Sequence, residues 1–510
     1  MPEFVYPDRA RFEKLAFGGK AVFVSREMIA DCLTPVGLFS RIYHQRREEK
    51  RRSVFLFESR EEAHTWGRYT YLGLGAARKV IVHKRTIDVV YPNEHNRIET
   101  IEHHGRPLDS LRELSRSLCP VPIPELADVP CGLVGYVTYE MVNLFDAVPT
   151  HTPEESDPVL AFFVVPDEMI VFDHLRQRLH LCVLSLDESG HTLPGLRYDT
   201  ALAKLDELAS ELKNSAASEP HVNKATEQRI TLKPVLMPEE FEQKIEQAKL
   251  EIVRGEIIQI VLSQPFVSHT VPDPVLLYRA QRLINPSPYL FFLHFDDTIL
   301  VGSSPETMVR LHGDRALIRP IAGTRPRGLT AEEDRRMADE LLSDEKERAE
   351  HLMLVDLGRN DLGRVARTGT VCVDNLMYVQ RYSHVMHLVS DVTAELEETR
   401  DAFDLFQATF PAGTLTGAPK IRAMQLIHQY EDRPRSCYGG AVGYFSFNGD
   451  MDFAITIRTA MIHNGLLTVQ AGAGVVYDSV PERERLETIN KAKALIQATE
   501  LIELLDHQNI

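Results

Sequence analysis

The segment YLFFLHFDDTILVGSSPETMVRLHGDRALI, residues 289–318, decides the fold class of this chain. Runs of β-branched and aromatic residues alternate in it with dipeptides typical of tight turns, at 296–297 and 313–314. Strands so closely spaced predict an antiparallel meander. A helix opened by Pro238 precedes them, and acidic helical stretches follow at about 331–364. Helices on both sides of antiparallel strands indicate a layered α+β fold rather than a doubly wound one.

Further strands and helices are expected on both sides of this segment. Alternating runs at 54–59 and 79–84 predict strands in the first part of the chain, and LAKLDELASELK, 202–213, predicts a helix that closes it. A C-terminal helix is expected from Pro481. Before it we expect three continuous strands: GGAVGYFSF at 439–447, DFAITIRTAMI at 452–462 and TVQAGAGVVY at 468–477.

The polar stretch KNSAASEPHVNKATEQ, residues 213–228, contains few large apolar residues and follows a helical pattern. We therefore interpret it as a linker or a surface loop. It divides the chain into an N-terminal α+β region, residues 1–212, and a larger region, residues 229–510, in which we expect the catalytic groups.

The composition is that of a soluble globular protein and excludes several classes. The 57 basic and 74 acidic residues among 510 give a formal net charge of −17, which disfavours electrostatic binding to nucleic acid or to an anionic membrane. The six cysteines form no CxxC pair, so neither a disulfide framework nor a zinc ribbon is expected. The N-terminus is charged and no long apolar run occurs, which predicts a cytoplasmic protein without a membrane span.

Two Glu-x-x-Glu pairs are the strongest chemical feature: Glu347 with Glu350, and Glu484 with Glu487. Residues i and i+3 share one face of a helix, so each pair would direct two carboxylates to the same side. Mg²⁺ binds few protein carboxylates and leaves positions for water and an anionic ligand, which makes these pairs candidate Mg²⁺ ligands. Glutamate-rich helix faces are also commonly just solvated, and the spacing alone does not separate the two interpretations.

Five long motifs add a resemblance to a known family. They are PIAGTRPRG (320–328), EHLMLVDLGRNDLGRVA (350–366), FPAGTLTGAPKIRAM (410–424), DFAITIRTA (452–460) and QAGAGVVYDSVPERERLETINKAKAL (470–495). In this order they resemble the chorismate-utilising enzymes, and within them most closely the anthranilate synthase component I family. The resemblance implies an α/β/β/α sandwich of two packed antiparallel sheets with outer helices, and an active site at one sheet edge in the C-terminal region.

The same resemblance implies a metal and a substrate site. Glu350 and Glu487 match Mg²⁺ ligands of the family, with Glu347 and Glu484 as close or water-mediated partners. The ion would bind the ring carboxylate of chorismate and withdraw charge as the C4 hydroxyl leaves. The residues that match substrate contacts are Arg458, Lys491, Tyr438, Gly472 and Gly474.

Three further residues match groups that act during the reaction. Glu306 matches the general acid for the departing hydroxyl, a role that requires a protonated carboxyl; a cap of the turn after Pro305 is the structural alternative. His387 matches the histidine that takes part in eliminating pyruvate, although a lone histidine in an apolar strand is more often a satisfied core residue. His384 suggests a metal pair with it, but no third ligand stands nearby in the sequence. Thr414 matches a residue that touches the substrate.

Two positions sort the members of the family. Gln259 stands where water-adding relatives carry a lysine base, which implies ammonia as the nucleophile. Ala322 stands where aminodeoxychorismate synthases carry a lysine that attacks covalently, which argues against para-amination. The implied reaction is amination of chorismate at C2 and loss of pyruvate to give anthranilate, the first committed step of tryptophan biosynthesis. Aminodeoxychorismate synthase and aminodeoxyisochorismate synthase remain the alternatives.

A partner and a regulator are also implied. The sequence contains no Gly-x-Cys-x-Gly turn followed by His-x-Glu, so we expect a separate glutamine amidotransferase subunit to supply the ammonia. Residues 33–39 and 55–59 resemble the element that holds inhibitory L-tryptophan in the family, and they are equally compatible with plain core strands. The expected inhibitor-binding residues are Glu58, Ser59, Pro286, Tyr289, Leu290 and Phe291.

Overall fold

The computed structural model describes residues 4–46, 53–59, 67–126, 131–151, 157–187, 190–217, 230–382 and 385–507. Within these ranges, no helix is both long and apolar enough to cross a membrane. The helices are α1 Arg9–Leu15, α2 Pro35–Gln45, α3 Pro107–Leu118, α4 Pro194–Ala217, α5 Pro238–Val253, α6 Pro274–Ile284, α7 Ala331–Ser343, α8 Glu345–Gly363, α9 Ala402–Thr409, α10 Lys420–Tyr430 and α11 Pro481–His507.

The strands of the first half of the chain are β1 Phe4–Tyr6, β2 Val22–Ile29, β3 Ser53–Glu58, β4 Tyr69–Leu74, β5 Arg78–Val82, β6 Thr86–Tyr91, β7 Arg97–Glu102, β8 Gly132–Val137, β9 Ala161–Val165, β10 Glu168–Asp173 and β11 Arg178–Ser185. Those of the second half are β12 Lys233–Pro234, β13 Gln259–Ser268, β14 Tyr289–Phe295, β15 Thr298–Ser304, β16 Thr307–His312, β17 Arg315–Ile318, β18 Ile321–Pro326, β19 Cys372–Arg381, β20 Val385–Glu395, β21 Gly417–Ala418, β22 Ala441–Ser446, β23 Met451–Ile455, β24 Thr459–His463 and β25 Leu466–Val475.

These strands form two large sheets in which neighbouring strands run antiparallel. Sheet A has the order β1-β2-β11-β10-β4-β3-β14-β15-β24-β25-β13-β12, with β21 beside β13. Sheet B has the order β18-β20-β17-β16-β23-β22-β8-β9-β5-β6-β7, with β19 beside β20.

The two sheets pack face to face through aromatic side chains. Phe295 of sheet A lies with its ring centroid 5.3 Å from that of Phe162 and 6.5 Å from that of Tyr136, both in sheet B. Helices cover the outer faces: α5, α6 and α11 contact sheet A, and α7, α8 and α9 contact sheet B. The predicted α/β/β/α sandwich is thereby confirmed, and the apolar side chains between its layers form the core.

Both sheets combine strands from the two sides of the predicted linker. In sheet A, β3 pairs with β14 so that Glu58 lies opposite Leu290, and in sheet B β8 pairs with β22. Of the predicted linker, residues 213–217 belong to the end of α4, and residues 218–228 lie outside the described ranges. The division at 213–228 therefore stays a prediction about the chain, whereas the hydrogen-bonded sheets extend across it.

The predicted meander is wrong at one connection, between β15 and β16, whereas the hairpins β14–β15 and β16–β17 form with their turns at 296–297 and 313–314 as expected. β14 and β15 pair as expected, but β15 next pairs with β24, while β16 and β17 belong to sheet B. The reason lies at residues 304–306, where Pro305 has no N–H to continue a strand ladder. The chain crosses there from one sheet to the other, and Glu306 stands at the crossing.

The predicted single strand at 452–462 is likewise two strands in different sheets. β23 belongs to sheet B and β24 to sheet A, and the chain crosses between them at residues 456–458. Arg458 adopts a φ of +49° there, in the left-handed region that a non-glycine residue rarely enters. The alternating pattern of residues 452–462 therefore gives no signal of the point at which the chain passes from one sheet to the other.

A buried ion pair connects several elements beside β13. The Arg435 guanidinium donates to Glu431 through Nη2 (2.6 Å) and Nε (2.8 Å), and to the carbonyl oxygens of Leu415 (2.7 Å) and Val261 (2.8 Å). Glu431 in turn accepts from the backbone N–H of Ser263 at 2.7 Å. Because both charges are nearly inaccessible to water, each depends on the other for compensation.

Removing one partner of this pair is expected to destabilise the protein strongly. Glu431→Gln would leave the Arg435 charge buried without its counterion, at a cost of about 3–5 kcal/mol in the free energy of unfolding. Urea unfolding followed by circular dichroism measures this. The matched control is Asp356→Asn, which breaks the exposed pair with Arg359 (2.8 Å) and should cost less than about 1 kcal/mol. A Glu431→Gln protein as stable as the control would contradict the expectation.

Candidate active site

One cavity of about 610 Å³ gathers every residue that the resemblance assigned to catalysis, substrate binding or metal binding. It is bounded by β13 and β25 of sheet A, by helices α8 and α11, and by the two sheet crossings. The assigned residues that line it are Glu306, His387, Thr414, Arg458, Tyr438, Gly472, Gly474, Lys491, Gln259, Glu347, Glu350, Glu484 and Glu487. Ala322, which sorts the family members, lines the same cavity.

The imidazole of His387 is held as a neutral base. Its Nδ1 lies 2.9 Å from the carbonyl oxygen of Gly323 and 3.1 Å from Thr324 Oγ1. A carbonyl oxygen only accepts, so we assign the proton to Nδ1, which leaves a lone pair on Nε2. Burial lowers the pKa of His387, and the positive charge of Arg458 lowers it further. The ring is therefore uncharged at neutral pH.

The carboxyl group of Glu306 is held in its protonated form. Burial raises the pKa of Glu306 to about 8, against the opposing influence of the nearby Thr414 hydroxyl and of the charges on Arg458 and Lys491. Its backbone carbonyl accepts from the N–H of Ile455 at 3.1 Å, which fixes the first crossing against β23. A buried carboxyl with this pKa can donate a proton at neutral pH.

Two cationic side chains face the cavity from different elements. The backbone carbonyl of Arg458 accepts from Gln281 Nε2 (2.5 Å) and from the N–H of Ser303 (3.3 Å), and its Nη1 donates to Asn285 Oδ1 (3.3 Å). Burial lowers the pKa of Arg458, but a guanidinium stays charged. Lys491 Nζ donates to the carbonyl oxygen of Gly472 at 2.9 Å.

Two glycines of β25 bring the backbone close to the cavity. A methyl group on Gly472 would lie 2.4 Å from the Tyr438 hydroxyl, and one on Gly474 would lie 2.7 Å from Gln259 Nε2. Side chains at either position would collide with residues of the cavity wall. Gln259 Nε2 also donates to Glu350 at 3.3 Å, and Gln259 Oε1 has no hydrogen-bond partner among the described residues.

The two carboxylate pairs face the cavity from α8 and α11. Burial raises the pKa of Glu350, and the negative charge of Glu347 raises it further. Burial and the negative charge of Glu487 also raise the pKa of Glu484, whereas a hydrogen bond with the Ser479 side chain lowers it. A divalent cation would compensate the repulsion between these carboxylates. Their oxygen atoms are the ligands that a hard ion such as Mg²⁺ prefers, so this donor set fits Mg²⁺.

The carboxylates do not form a closed cage. Within the described ranges, no three His, Cys, Asp or Glu side chains are grouped closely enough to hold a metal ion by themselves. Mg²⁺ retains water and takes part of its shell from an anionic ligand, so an open set is compatible with it. His384, the other histidine considered as a ligand, lies outside the described residues.

The sequence interpretation missed residues that hold the site in place. Arg325 donates to Glu347 (3.2 Å) and to Asp344 (2.8 Å), and so fixes the start of α8 against β18. Arg435 stands beneath the ring of Tyr438, with its guanidinium carbon 5.6 Å from the ring centroid. Arg325 and Thr324 lay inside a quoted motif, but Arg435 has no periodic or motif signal that could have identified it.

A second cavity, of about 460 Å³, lies between the sheets and is lined by strands β3, β4 and β14 of one and β16, β22 and β23 of the other. Of the residues predicted to bind an inhibitor, Glu58, Ser59, Tyr289, Leu290 and Phe291 line it. Pro286 does not, and Pro288 does. Glu58 Oε2 accepts from the Tyr278 hydroxyl (2.5 Å) and from Arg282 Nε (3.1 Å).

Residues 33–39, which resemble the inhibitor-holding element of the family and were equally compatible with a core strand, form the start of helix α2. Thr34 caps the helix by accepting from the N–H of Gly37 at 3.2 Å, and Pro35 occupies its first position. These residues, all within the described part of the chain, do not line the second cavity. Of the two N-terminal segments considered, 55–59 is the one that lines the cavity, through residues 57–59.

Comparison with known proteins identifies the family of this chain. The chain matches the family described as chorismate binding enzyme over residues 53–497. Anthranilate synthase component 1 of Aquifex aeolicus (strain VF5) is 42% identical over 495 residues, which cover 96% of this chain and 97% of the relative. The protein of the same name from Pseudomonas putida is 39% identical over 509 residues, with 97% and 99% covered.

Solved structures agree with this. Anthranilate synthase component I from Streptococcus pneumoniae TIGR4 has a TM-score of 0.74 and 34% identity, with 92% of this chain and 99% of that chain covered. The menaquinone-specific isochorismate synthase of Escherichia coli has a TM-score of 0.68 at 20% identity, with 96% and 98% covered, and supports the fold alone. The chain therefore belongs to the chorismate binding enzyme family, within the group of anthranilate synthase component 1 proteins.

Proposed function

We propose that the protein is the synthase component of an anthranilate synthase, which aminates chorismate at C2 and then eliminates pyruvate. Chorismate and ammonia give anthranilate, pyruvate and water. The observation that carries the proposal is one cavity in which a neutral histidine, a protonated glutamate, a buried arginine and two carboxylate pairs meet. The names of the relatives described above support the same reaction.

Binding of chorismate requires local positive charge, since the substrate is a dianion and the protein carries a net charge of −17. The fork of Arg458 suits a carboxylate, and Lys491 adds a second charge at the wall formed by Gly472. Mg²⁺ would be held by Glu350 and Glu487, with Glu347 and Glu484 beside them, and when bound it would neutralise the ring carboxylate and withdraw electron density from the ring.

The first step replaces the C4 hydroxyl by an amino group at C2. Ammonia forms the new bond at C2, the ring double bonds shift, and the C4–O bond breaks as Glu306 transfers its proton to the departing oxygen. Water leaves, and the proton lost by the new amino group restores the carboxyl. A pKa near 8 matches Glu306 to this exchange at neutral pH. Thr414, beside Glu306 in the cavity, is placed in the proposal as a substrate contact.

The second step removes pyruvate from the amino intermediate. Nε2 of His387 takes the proton at C2, the C3–O bond breaks, and the departing enolpyruvate takes up a proton to become pyruvate. The ring becomes aromatic, which drives the elimination. The hydrogen bond from Nδ1 to Gly323 favours this role, because it directs the lone pair of Nε2 away from the backbone.

The choice of nucleophile and of ring position rests on two side chains of the cavity wall. Gln259 donates an amide hydrogen to Glu350 and has no amine that could accept a proton from water. Ala322 has no nucleophilic atom for a covalent intermediate. Both favour ortho-amination by ammonia over the reactions of aminodeoxychorismate or isochorismate synthases.

A partner and an inhibitor complete the proposal. Ammonia would come from a separate glutamine amidotransferase, since the designation component 1 implies a second component. L-Tryptophan would bind in the second cavity, with its ammonium group at Glu58 and Ser59 and its indole against Tyr289, Leu290 and Phe291. A cytoplasmic location stays a prediction from the sequence.

Metal dependence tests the proposed function directly. The chain with chorismate, an ammonium salt and Mg²⁺ should form anthranilate, seen by its fluorescence, and EDTA should abolish the reaction. Glu350→Gln and Glu487→Gln should each lower turnover by about 100-fold, equivalent to about 2.7 kcal/mol. They should also weaken Mn²⁺ binding measured by electron paramagnetic resonance. Glu345→Gln, on the exposed side of α8, is the control. Normal rates in both variants would exclude these metal ligands.

The role of His387 predicts a separation of the two steps. His387→Met should still consume chorismate, but anthranilate formation should fall by about 100-fold or more, because the general base is gone. The non-aromatic amino intermediate should then accumulate and be visible by chromatography. His312→Met, at a histidine that is 89% exposed, should behave as wild type. Undiminished anthranilate formation by His387→Met would contradict the assignment.

The proposed inhibition by L-tryptophan leads to a third prediction. Glu58→Ala or Ser59→Phe should raise the L-tryptophan concentration required for half-inhibition by about tenfold or more, equivalent to about 1.4 kcal/mol. Ammonia-dependent activity should remain close to that of wild type. Glu99→Ala, on exposed strand β7, is the control. If wild-type activity does not respond to L-tryptophan, or if Glu58→Ala responds as wild type does, the second cavity has no such role.

A further inference from the structure

Glu140 is a buried carboxyl group that neither the proposed reaction nor the proposed metal site uses. It lies on a short 3₁₀ helix, Tyr139–Leu144, which follows strand β8. Burial raises the pKa of Glu140 to about 7, although hydrogen bonds from backbone N–H groups and the charge of Arg435 oppose this rise. An acidic side chain is rarely enclosed to this degree unless its hydrogen bonds are needed where it stands.

The carboxyl group of Glu140 binds the backbone of a tight turn at residues 435–438. Its Oε1 accepts from the N–H of Arg435 at 2.8 Å and from the N–H of Ser436 at 3.3 Å. The N–H of the neighbouring Tyr139 donates to the carbonyl oxygen of Ser436 at 2.8 Å. Glu140 and Tyr139 together therefore bind Ser436 at both its N–H and its carbonyl group.

The turn needs this support because of the conformation of Ser436. The N–H of Tyr438 donates to the carbonyl oxygen of Arg435 at 3.1 Å and closes a four-residue turn, in which Ser436 takes the second position. Ser436 adopts a φ of +52° there. Turns of this kind favour Gly, Asn or Asp at that position, and a serine in it persists only where the surroundings hold it. The three hydrogen bonds from the 3₁₀ helix meet this requirement.

The same turn brings Tyr438 to the active-site cavity. Tyr438 lines that cavity, and a methyl group on Gly472 would lie 2.4 Å from its hydroxyl, so the hydroxyl stands directly against the wall formed by β25. The guanidinium carbon of Arg435 lies 5.6 Å from the centroid of the Tyr438 ring and 4.8 Å from that of the Tyr139 ring. A displacement of the turn would therefore move the Tyr438 hydroxyl relative to the cavity wall.

The ends of the turn are held by contacts that do not involve Glu140. The Arg435 guanidinium is bound by Glu431 and by two backbone carbonyl oxygens. The N–H of Gly439 donates to the carbonyl oxygen of Thr456 at 3.0 Å, at the second sheet crossing. Loss of the Glu140 oxygen atoms should therefore release the backbone at 435–436 while the buried ion pair and strand β22 stay in place.

We propose that Glu140 is a positioning residue for Tyr438 and acts through the turn at residues 435–438. The inference rests on the proposed function and takes Tyr438, a wall residue of the cavity, as a contact of bound chorismate. Glu140 itself does not line that cavity, and one of its oxygen atoms can accept from the turn in either protonation state. A hydroxyl that is fixed before the substrate arrives costs less entropy on binding. Loss of Glu140 should therefore weaken substrate binding and leave the reacting groups intact.

Two substitutions of similar volume test this role. Glu140→Met removes both oxygen atoms, and should raise the KM for chorismate by about tenfold while kcat changes less than about threefold, because one substrate contact is misplaced. Glu140→Gln retains an acceptor oxygen, and should restore the KM to within about threefold of wild type. Glu113→Met, at an exposed position of α3, is the control and should behave as wild type. An unchanged KM in Glu140→Met would overturn the proposal.

A double substitution tests whether Glu140 acts through Tyr438. Tyr438→Phe removes the hydroxyl and should by itself raise the KM for chorismate by about tenfold. If both residues act through this one contact, adding Glu140→Met to Tyr438→Phe should raise the KM by no more than about a further twofold. Independent effects would instead multiply to about 100-fold, and that result would also overturn the proposal.

Two further measurements keep the outcomes distinct. Thermal unfolding followed by circular dichroism shows whether each variant is folded, and if Glu140→Met is not, Glu140→Ala, which leaves space for water to bind the freed N–H groups, replaces it in the same comparisons. Calorimetry with chorismate and Mg²⁺, without an ammonium salt, gives the Kd of each variant independently of turnover. A wild-type chain that binds chorismate but forms no anthranilate would refute the proposed function alone, and the Kd values would still decide the role of Glu140. A wild-type chain that binds no chorismate would overturn both.

Discussion

Two crossings of the chain from one sheet to the other determine where the proposed catalytic groups lie. At 304–306 the chain passes from sheet A to sheet B, and at 456–458 it returns from B to A. The crossings lie side by side, since the N–H of Ser303 bonds the carbonyl of Arg458 and the N–H of Ile455 bonds that of Glu306. Glu306 and Arg458, one at each crossing, both line the cavity beside the ends of these strands. The proton donor and the anion-binding arginine of the proposed site occupy these two positions.

Burial in the first cavity determines the protonation state of its ionisable groups. Glu306 is surrounded by protein, so desolvation outweighs the positive charges near it and the proton stays on. His387 loses its charge for the same reason. The carboxylates of α8 and α11 are less enclosed and repel one another, which a bound cation would relieve. An acidic protein thus offers a dianionic substrate a site whose own negative charges are offset by protons, by the cations of Arg325 and Lys491 and, in the proposed function, by a metal.

Local secondary structure was predictable from the sequence, whereas the pairing of strands that lie far apart in the chain was not. The hairpin β14–β15, the two helices at 331–363 and the C-terminal helix follow the predicted patterns, because period and turn residues are local properties. Which strand lies beside β15 depends on β24, some 160 residues later, and no periodicity encodes it. The alternation of 452–462 runs unbroken through a change of sheet for the same reason. Motif resemblance brought the site residues together, whereas Arg435 belongs to no motif and its importance appears only from its four buried contacts.

In the proposed function, the interleaving of strands connects the second cavity to the first. β14 lies between β3, which carries Glu58, and β15, which leads into the first crossing. Close-packed strands and helices transmit displacement because their contacts leave little empty volume to absorb it. A boundary in the chain at 213–228 is therefore not a mechanical boundary in the molecule. Had the two regions formed separate sheets, a ligand between them would face a deformable interface; in the proposed function it faces a continuous ladder of hydrogen bonds that ends at the residues proposed to bind and protonate the substrate.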